Sequence, residues 1–297
     1  MFIIKYRKIF FALSGLLVIG SLLAVGIFGL NLGIDFTGGS ILEVTYEAGR
    51  PELPLIRDSL ADLDLGQAGI QLSGDQSVII RLRDITSDEK SALDEVLTFN
   101  GEFTFTEDRY SAIGPSLGSE LASKGLIAIA LVVSLIILFI AFAFRGVSHK
   151  VNSWKYGLVA IVTLSHDIII PLGLIAVLGQ TVGAEVDALF LTALLAILGL
   201  SVNDTIVVFD RIRENLRHKI SPHFDEVVGL SLNQTFARSI NTSLTTIVVL
   251  LALLFLGGQT TKYFALILAI GMAIGTYSSL FLAAPLLVTW EKLGRKS

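Results

Sequence analysis

The 297-residue chain contains no cysteine, and this absence removes several classes of chemistry. Without thiols there is no disulfide, no cysteine nucleophile and no cysteine-ligated metal. Charged residues are also scarce, at 16%, and the sequence carries neither a phosphate-binding glycine loop nor a recognisable nucleophile motif. We therefore predict that the chain is not an enzyme and binds neither a metal nor an organic cofactor.

Hydrophobic residues, by contrast, make up 53% of the chain, and the mean hydropathy is +0.75. A membrane-spanning helix needs about 20 apolar residues. Six stretches are long enough: 9–30, 125–144, 156–178, 188–209, 239–256 and 263–288. The first follows a basic start, but its apolar run is longer than a signal-peptide core and no clear cleavage site follows, so we interpret it as a retained anchor.

Lysine and arginine are distributed unevenly between the two ends of these spans. Fourteen of them fall at the ends that we assign to the cytoplasm, whereas the short opposite loops contain only Lys262. Because cytoplasmic loops are rich in basic residues, we predict a multi-pass protein of the plasma (inner) membrane with both termini in the cytoplasm. Trp154 and Trp290 fall at the predicted cytoplasmic interfaces.

We divide the chain into an N-terminus with the first span (1–32), an external domain (33–122), spans two to six (123–290) and a C-terminal tail (291–297). Residues 31–124 hold 7 basic and 17 acidic residues, a net charge of −10 that disfavours nucleic-acid binding. Strand patterns at 41–47, 70–72, 77–82 and 102–107 alternate with helical patterns at 54–63 and 87–99, the second beginning with Ser87 as its predicted cap. The order βαββαβ predicts a ferredoxin-like fold.

Glycine-rich segments lie at both ends of this domain. The candidate junction residues are Asp35, Gly38, Gly39, Gly114 and Pro115. Ordinary turn chemistry explains each glycine alone, but one segment at each entry to the same domain favours hinges.

Ionisable residues inside the apolar spans are the strongest functional signal. Asp204 lies near the end of the fourth span, and Arg238 opens the fifth, in register with Asn241 on one helix face; Asn203 flanks the acid. We predict that this face turns inward and that the acid and base meet in a proton relay. A static ion pair and an arginine that extends to the membrane surface are the alternatives.

His166 and Asp167 are adjacent in the third span, and a histidine that titrates near neutrality suits a proton shuttle. Neighbouring residues point about 100° apart on a helix, so either one could face the relay, and a structural hydrogen bond is the alternative. Residues 210–237 form a polar cytoplasmic loop in this interpretation, either a simple connector or an extension of the fourth span followed by a second short amphipathic helix.

Together these motifs make the chain resemble the SecD/SecF family of protein-export membrane proteins, within the RND superfamily. The matching segments are 35–39, 114–115, 166–167, 201–204, 209–214 and 238–242. The resemblance implies six spans forming one RND-type half, a role for Asp204 and Arg238 in proton movement, and a SecD-like partner subunit. It also implies that protons are the coupling ion, that the Sec translocon channel is a further partner, and that an unfolded preprotein is the substrate.

Two other functions remain open at this point. A self-pairing RND-type half that exports a lipid or small hydrophobic molecule would need a roomy apolar groove in the external domain. A purely structural stabiliser of the translocon would tolerate a change at Asp204.

Overall fold

The computed structural model describes residues 2–61, 63, 65–66, 68–143 and 153–294. The chain folds as two compact units: a helical unit, Met1–Asn31 with Ile127–Ser297, and a sheet domain, Leu32–Leu126. The elements are α1 (Phe2–Lys5), α2 (Arg7–Phe28), α3 (Ile34–Thr37), β1 (Gly39–Tyr46), α4 (Leu53–Ala61), β2 (Gly69–Ser73), β3 (Ser77–Leu82), α5 (Ser87–Leu97), β4 (Phe105–Ile113), α6 (Pro115–Ala143), α7 (Ser153–Val182), α8 (Ala188–Arg217), α9 (Phe224–Leu256), α10 (Gln259–Tyr277), a π-helical segment (Ser278–Ala283) and α11 (Ala284–Gly294).

Six helical segments of the described chain are long and apolar enough to cross a membrane, which confirms the predicted number. They are Arg7–Phe28, Pro115–Ala143, Trp154–Val182, Ala188–Arg217, Phe224–Leu256 and Thr261–Leu293. Residue 144, the last of the predicted second span, lies outside the described residues.

The polar segment 210–237 is mostly helical rather than a loop. Helix α8 continues to Arg217, as the amphipathic-extension interpretation expected. The second short helix does not exist as a separate element, because α9 runs without a break from Phe224 into the fifth span. Only the stretch around 218–223 connects the two helices.

The sheet domain contains four antiparallel strands in the order β2-β3-β1-β4. Its core includes Leu42, Val44 and Tyr46 of β1, packed with buried residues of α4 and α5. The strand order and the helix order together confirm the ferredoxin-like prediction. The last strand, however, runs over Phe105–Ile113 rather than 102–107, because β4 pairs with the whole length of β1 across a register shift between Glu43 and Val44.

Helix α5 begins one residue earlier than the sequence pattern suggested. Thr86, and not Ser87, is the N-cap: its hydroxyl accepts from the Glu89 backbone, and the Glu89 carboxylate accepts from the Thr86 backbone. Both residue types cap helices well, so only the backbone conformation decides between neighbouring candidates.

Helices α8 and α10 approach closely in the helical unit. A Cβ at Gly275 would lie 2.8 Å from Cβ of Ser201, and no larger residue fits there without a shift. Small residues at helix interfaces let backbones approach inside a membrane. This contact brings the polar residues at the end of α10 beside those of α8.

Candidate functional site

Asp167 is the most deeply buried carboxylate of the helical unit, with no exposed surface. One of its oxygens accepts from Ser201 Oγ of α8 at 2.5 Å and from Ser278 Oγ of the π-helical segment at 2.8 Å. Its other oxygen lies 2.9 Å from His166 Nδ1. A buried charge is tolerated when it is hydrogen-bonded in this way, so three helices hold Asp167 in place.

Asp204 is also buried, at 8% exposure, and hydroxyl groups of α9 and α10 surround it. Thr276 Oγ1 of α10 donates to Oδ2 at 3.2 Å, and Thr276 in turn hydrogen-bonds to Ser243 of α9. Ser239 interacts with the carboxylate as well, yet its hydroxyl lacks a well-formed hydrogen bond in the described chain. Ser243 interacts with it too, so three hydroxyl groups surround Asp204.

One turn of helix links the two carboxylates. Ser201, which donates to Asp167, lies on the same face of α8 as Asp204, three residues before it. On the sixth span, which faces α8, the Thr276 hydroxyl donates to Asp204 and the Ser278 hydroxyl donates to Asp167. A displacement of this turn of α10 therefore changes the hydrogen bonds of both acids.

The facing turn is where α10 changes to π-helical geometry, over Ser278–Ala283. Ser279 Oγ, within this segment, lies 2.8 Å from Thr205 Oγ1 and donates to the Ser201 carbonyl at 3.3 Å. Single π-helical turns inside α-helices are rare and often occur at functional sites. Within this segment Ser278 reaches Asp167 of α7 while the neighbouring Ser279 reaches α8.

His166 reaches the first span through Tyr277. The two rings stack with centroids 6.1 Å apart, and the Tyr277 hydroxyl donates to the Phe10 carbonyl at 3.0 Å. Ser14 Oγ donates to the same hydroxyl at 3.2 Å. His166 Nε2 is buried without a hydrogen-bond partner among the described residues.

Arg238, Asn241 and Asn203 do not join this network. All three are exposed on the surface of the chain, and the inward face of α9 is formed by Ser239 and Ser243 instead. Arg238 attracts Asp204 electrostatically but makes no ion pair with it in the described chain. The predicted polar stripe of α9 thus turns outward, because a helix rotation that buries two serines exposes the neighbouring positions.

The structure adds residues that the sequence analysis passed over: Ser14, Thr276, Tyr277, Ser278 and Ser279. Four of them are consecutive polar residues in the middle of the sixth apolar span. A run of this kind in lipid needs partners, and that signal was available from the sequence.

The junction residues form a tightly packed corner inside the sheet domain. Gly38 and Gly39 have φ of 76° and 126°. A Cβ on Gly38 would lie 2.7 Å from Cα of Pro115, and one on Gly39 would lie 2.6 Å from the Leu82 carbonyl oxygen. Asp35 is half-buried in α3. A Cβ on Gly114 would have the Asp84 carboxylate within 3.7 Å.

No group of three or more His, Cys, Asp or Glu side chains in the described ranges is arranged to hold a metal ion. The network combines two carboxylates with an imidazole and several hydroxyl groups, which are the groups that proton transfer in proteins uses. Its hydroxyls can pass a proton or reorient when one arrives.

Two family models match the chain. The model of the protein-export membrane protein SecD/SecF C-terminal region matches residues 94–293, and the SecD/SecF GG motif model matches residues 23–49.

Curated relatives match along almost the whole chain. The protein translocase subunit SecF of Thermobaculum terrenum is 43% identical over 97% of this chain and 93% of its own. That of Anaerolinea thermophila is 40% identical over 97% of this chain and 94% of its own.

A solved structure agrees with the fold. The crystal structure of SecDF, a translocon-associated membrane protein from Thermus thermophilus, superposes with a TM-score of 0.84 at 33% identity. The match covers 97% of this chain and 38% of that one. The chain therefore belongs to the SecD/SecF family of protein-export membrane proteins, among the SecF subunits of the protein translocase.

Proposed function

We propose that this translocase subunit uses the proton gradient to drive or complete the export of preproteins, with Asp204 as the group that takes up the proton. One observation carries the proposal: two buried carboxylates, on α7 and α8, accept hydrogen bonds from neighbouring hydroxyl groups of the same turn of the sixth span. An intramembrane carboxylate of this kind is costly, and such residues mark ion and proton pathways.

The exposure of each acid supports a different role. Asp167 has no exposed surface and is enclosed by two serine hydroxyls and His166. Asp204 keeps 8% exposure, so a proton reaches it more readily. Asp204 is accordingly the exchanging group, and Asp167 with His166 is the fixed part of the relay.

Neutralising Asp204 would loosen the hold on α10. A protonated carboxyl becomes a donor and no longer attracts the Thr276 hydroxyl as an anion does. The hydroxyls of the π-helical segment then rearrange against α8, and the sixth span shifts. Each proton that moves down 100 mV supplies about 2.3 kcal/mol for such a shift.

The junction residues would pass this motion to the sheet domain. Asp35, Gly38, Gly39, Gly114 and Pro115 are the hinge candidates from the sequence. The close approach of Gly38 to Pro115 ties the two ends of the domain together and supports a joint that moves as a unit. The domain, on the external side of the plasma membrane, would then grip or release an unfolded preprotein. The basic residues at one end of the spans support placing both termini in the cytoplasm.

The exposed polar face of α9 supports a second subunit. Arg238 and Asn241 on this face, with Asn203 of α8, form no hydrogen bond between side chains in the described chain. Polar groups of this kind do not remain against lipid. A SecD-like subunit, beside the Sec translocon channel, would cover them and would bring Arg238 into the relay.

The test compares three aspartate variants in inverted membrane vesicles that contain the subunit, its SecD-like partner and the translocon. We expect Asp204→Asn to abolish the part of preprotein translocation that depends on the proton gradient, while Asp204→Glu retains some of it. Asp210→Asn is the matched control, because Asp210 is exposed on the same helix. Equal gradient dependence in Asp204→Asn and wild type would refute the proposal and favour a purely structural subunit.

A further inference from the structure

A cavity of about 350 Å³ opens at one end of the helical unit, where the N-terminal segment meets the start of α9. Its lining consists of Ile4, Lys5, Arg7, Lys8, Asp225 and Glu226. The volume lies within the range of about 300–1,000 Å³ that is typical of small-molecule sites. The proton relay does not use any of these residues.

The cavity is built by a local break in the N-terminal helix. Helix α1 ends at Lys5, and α2 begins at Arg7. Ile4 is buried in the same hydrophobic cluster as Phe224 and Val228 of α9. This anchor keeps α1 against α9 and places three cationic residues, close together in the sequence, around one opening.

The charges of the cavity are unbalanced in favour of the cations. Asp225 is neutralised by Lys292, whose Nζ lies 2.7 Å away. Glu226 accepts a hydrogen bond from Ser221 at 2.5 Å. None of the three cations, Lys5, Arg7 and Lys8, forms an ion pair with a residue that the structure describes. Lys5 lies over the Tyr6 ring, and Arg7 donates a hydrogen bond to the Ile4 carbonyl. An anion is the ligand that this arrangement lacks.

Apolar side chains continue from the cavity along the surface of α2. Ile9, Leu13 and Leu16 are 62%, 45% and 69% exposed. The cavity also lies at the interfacial end of the bundle, since α11 carries both Lys292, the partner of Asp225, and Trp290, which packs on Trp154. A cationic pocket at the interface that leads onto an apolar helix face matches a molecule with an anionic head and hydrocarbon tails.

We infer that this pocket binds the phosphodiester headgroup of an anionic phospholipid. Lys5, Arg7 and Lys8 neutralise the phosphate, and the acyl chains lie along the exposed apolar face of α2. The bound lipid fixes the N-terminal segment against α9. This inference does not depend on the proposed proton relay.

The experiment is native mass spectrometry of the full-length protein in detergent, titrated separately with phosphatidylglycerol, phosphatidylethanolamine and glycerol phosphate. The test variant is Lys5→Gln/Arg7→Gln/Lys8→Gln. The control, Arg211→Gln/Arg217→Gln/Lys219→Gln, removes the same charge at the end of α8, outside the cavity. A basic residue near an anionic headgroup strengthens binding roughly five-fold.

We expect phosphatidylglycerol to bind the wild type and the control alike and to bind the test variant at least ten-fold more weakly. Glu226→Gln should act in the opposite direction and tighten binding, which keeps the test valid if the triple variant does not fold. Equal binding of phosphatidylethanolamine would overturn the anionic assignment. Equal binding of glycerol phosphate would show that a free phosphate compound, and not a lipid, is the ligand. An equal loss of phosphatidylglycerol binding in the control variant would mean that diffuse surface charge, and not the pocket, binds the lipid.

Discussion

Two buried aspartates of the helical unit differ in their exposure, which is 0% for Asp167 and 8% for Asp204. Both are surrounded by polar groups: Asp167 by two serines and His166, and Asp204 by the hydroxyls of Thr276, Ser239 and Ser243. The remaining exposure of Asp204 is the reason for proposing it, and not Asp167, as the exchanging group.

Ser278 tests the fixed part of the network. Ser278→Ala removes a donor to a buried carboxylate, so we expect the free energy of unfolding to fall by about 1.5–3 kcal/mol. Chemical denaturation of the purified protein in detergent measures this. Ser134→Ala is the control, because the Ser134 hydroxyl donates to the carbonyl of Ala130 in its own exposed helix turn and is bonded to no carboxylate among the described residues. A loss no larger than that of Ser134→Ala would mean that Ser278 does not stabilise Asp167.

Glu89 gives the sheet domain a pH dependence. The Arg83 guanidinium, together with the Thr86 backbone, lowers the pKa of Glu89 from 4.5 to about 2. A carboxylate whose pKa is lower in the folded state stabilises the fold above its unfolded pKa and loses that effect as pH falls through the folded value. We therefore expect the stability advantage of the wild-type domain over Glu89→Gln to be full above about pH 4.5 and to disappear towards about pH 2.

Thermal denaturation of the domain, residues 32–126, followed by circular dichroism at several pH values, measures this advantage. A difference between the two proteins that stays constant over this pH range would contradict the role given to the Glu89 charge.

At the level of the elements, α9 shows how little a polar pattern says about direction. Its two polar stripes, one with Ser239 and Ser243 and one with Arg238 and Asn241, are adjacent on the helix. The serine stripe faces α8 and α10, where it meets Asp204 and Thr276. Charged and amide side chains are larger than serine, so the tighter intrachain interface takes the serines and the larger side chains lie outside it.

The corner formed by β1 and the start of α6 makes a second prediction at this scale. Gly39→Ala should destabilise the sheet domain more than Gly49→Ala, by roughly 1–3 kcal/mol. Both glycines have positive φ, but only Gly39 would place its new Cβ against a backbone oxygen, that of Leu82. Denaturation of the two domain variants in urea gives the difference. Equal losses would show that strain in the backbone, and not packing of the corner, governs this position.

Considered as a whole, the molecule leaves much of its membrane surface without an intrachain partner. In the apolar 18-residue stretch of each span, only 6% of the residues are buried in α6 and 17% in α9, against 56% in α7. Helices with so little contact, one of them carrying exposed polar residues, are suited to packing against another subunit.

The outward face of α9 can be tested directly. We expect Asn241→Leu/Thr245→Leu to reduce co-purification of the SecD-like subunit several-fold, because apolar side chains leave the partner's polar groups unpaired. Val249→Leu, an exposed apolar position on the same helix, should have no effect. Unaltered co-purification of the double variant would place the interface elsewhere. A purified complex containing two copies of this chain and no other subunit would favour the self-pairing exporter.

Local sequence patterns were enough to predict the spans, the order of strands and helices in the sheet domain, and the two acids, Asp167 and Asp204, that the structure buries. A long apolar run predicts a membrane-spanning helix, and alternation of apolar and polar residues predicts a strand. A carboxylate within an apolar helix is equally easy to recognise, because each of these signals is local in the sequence. The motifs that carry the family resemblance are local for the same reason.

The partners of the two aspartates and the direction of the polar stripe on α9 follow from how the helices pack together. Ser278 lies 111 residues from Asp167, and Thr276 lies 72 residues from Asp204. Which residues meet across helices depends on how each helix rotates and how closely it approaches its neighbour. Gly275 permits the approach of α10 to α8, and the π-helical turn sets the rotation. No periodicity within one helix contains that information, since rotation is set by packing against the others.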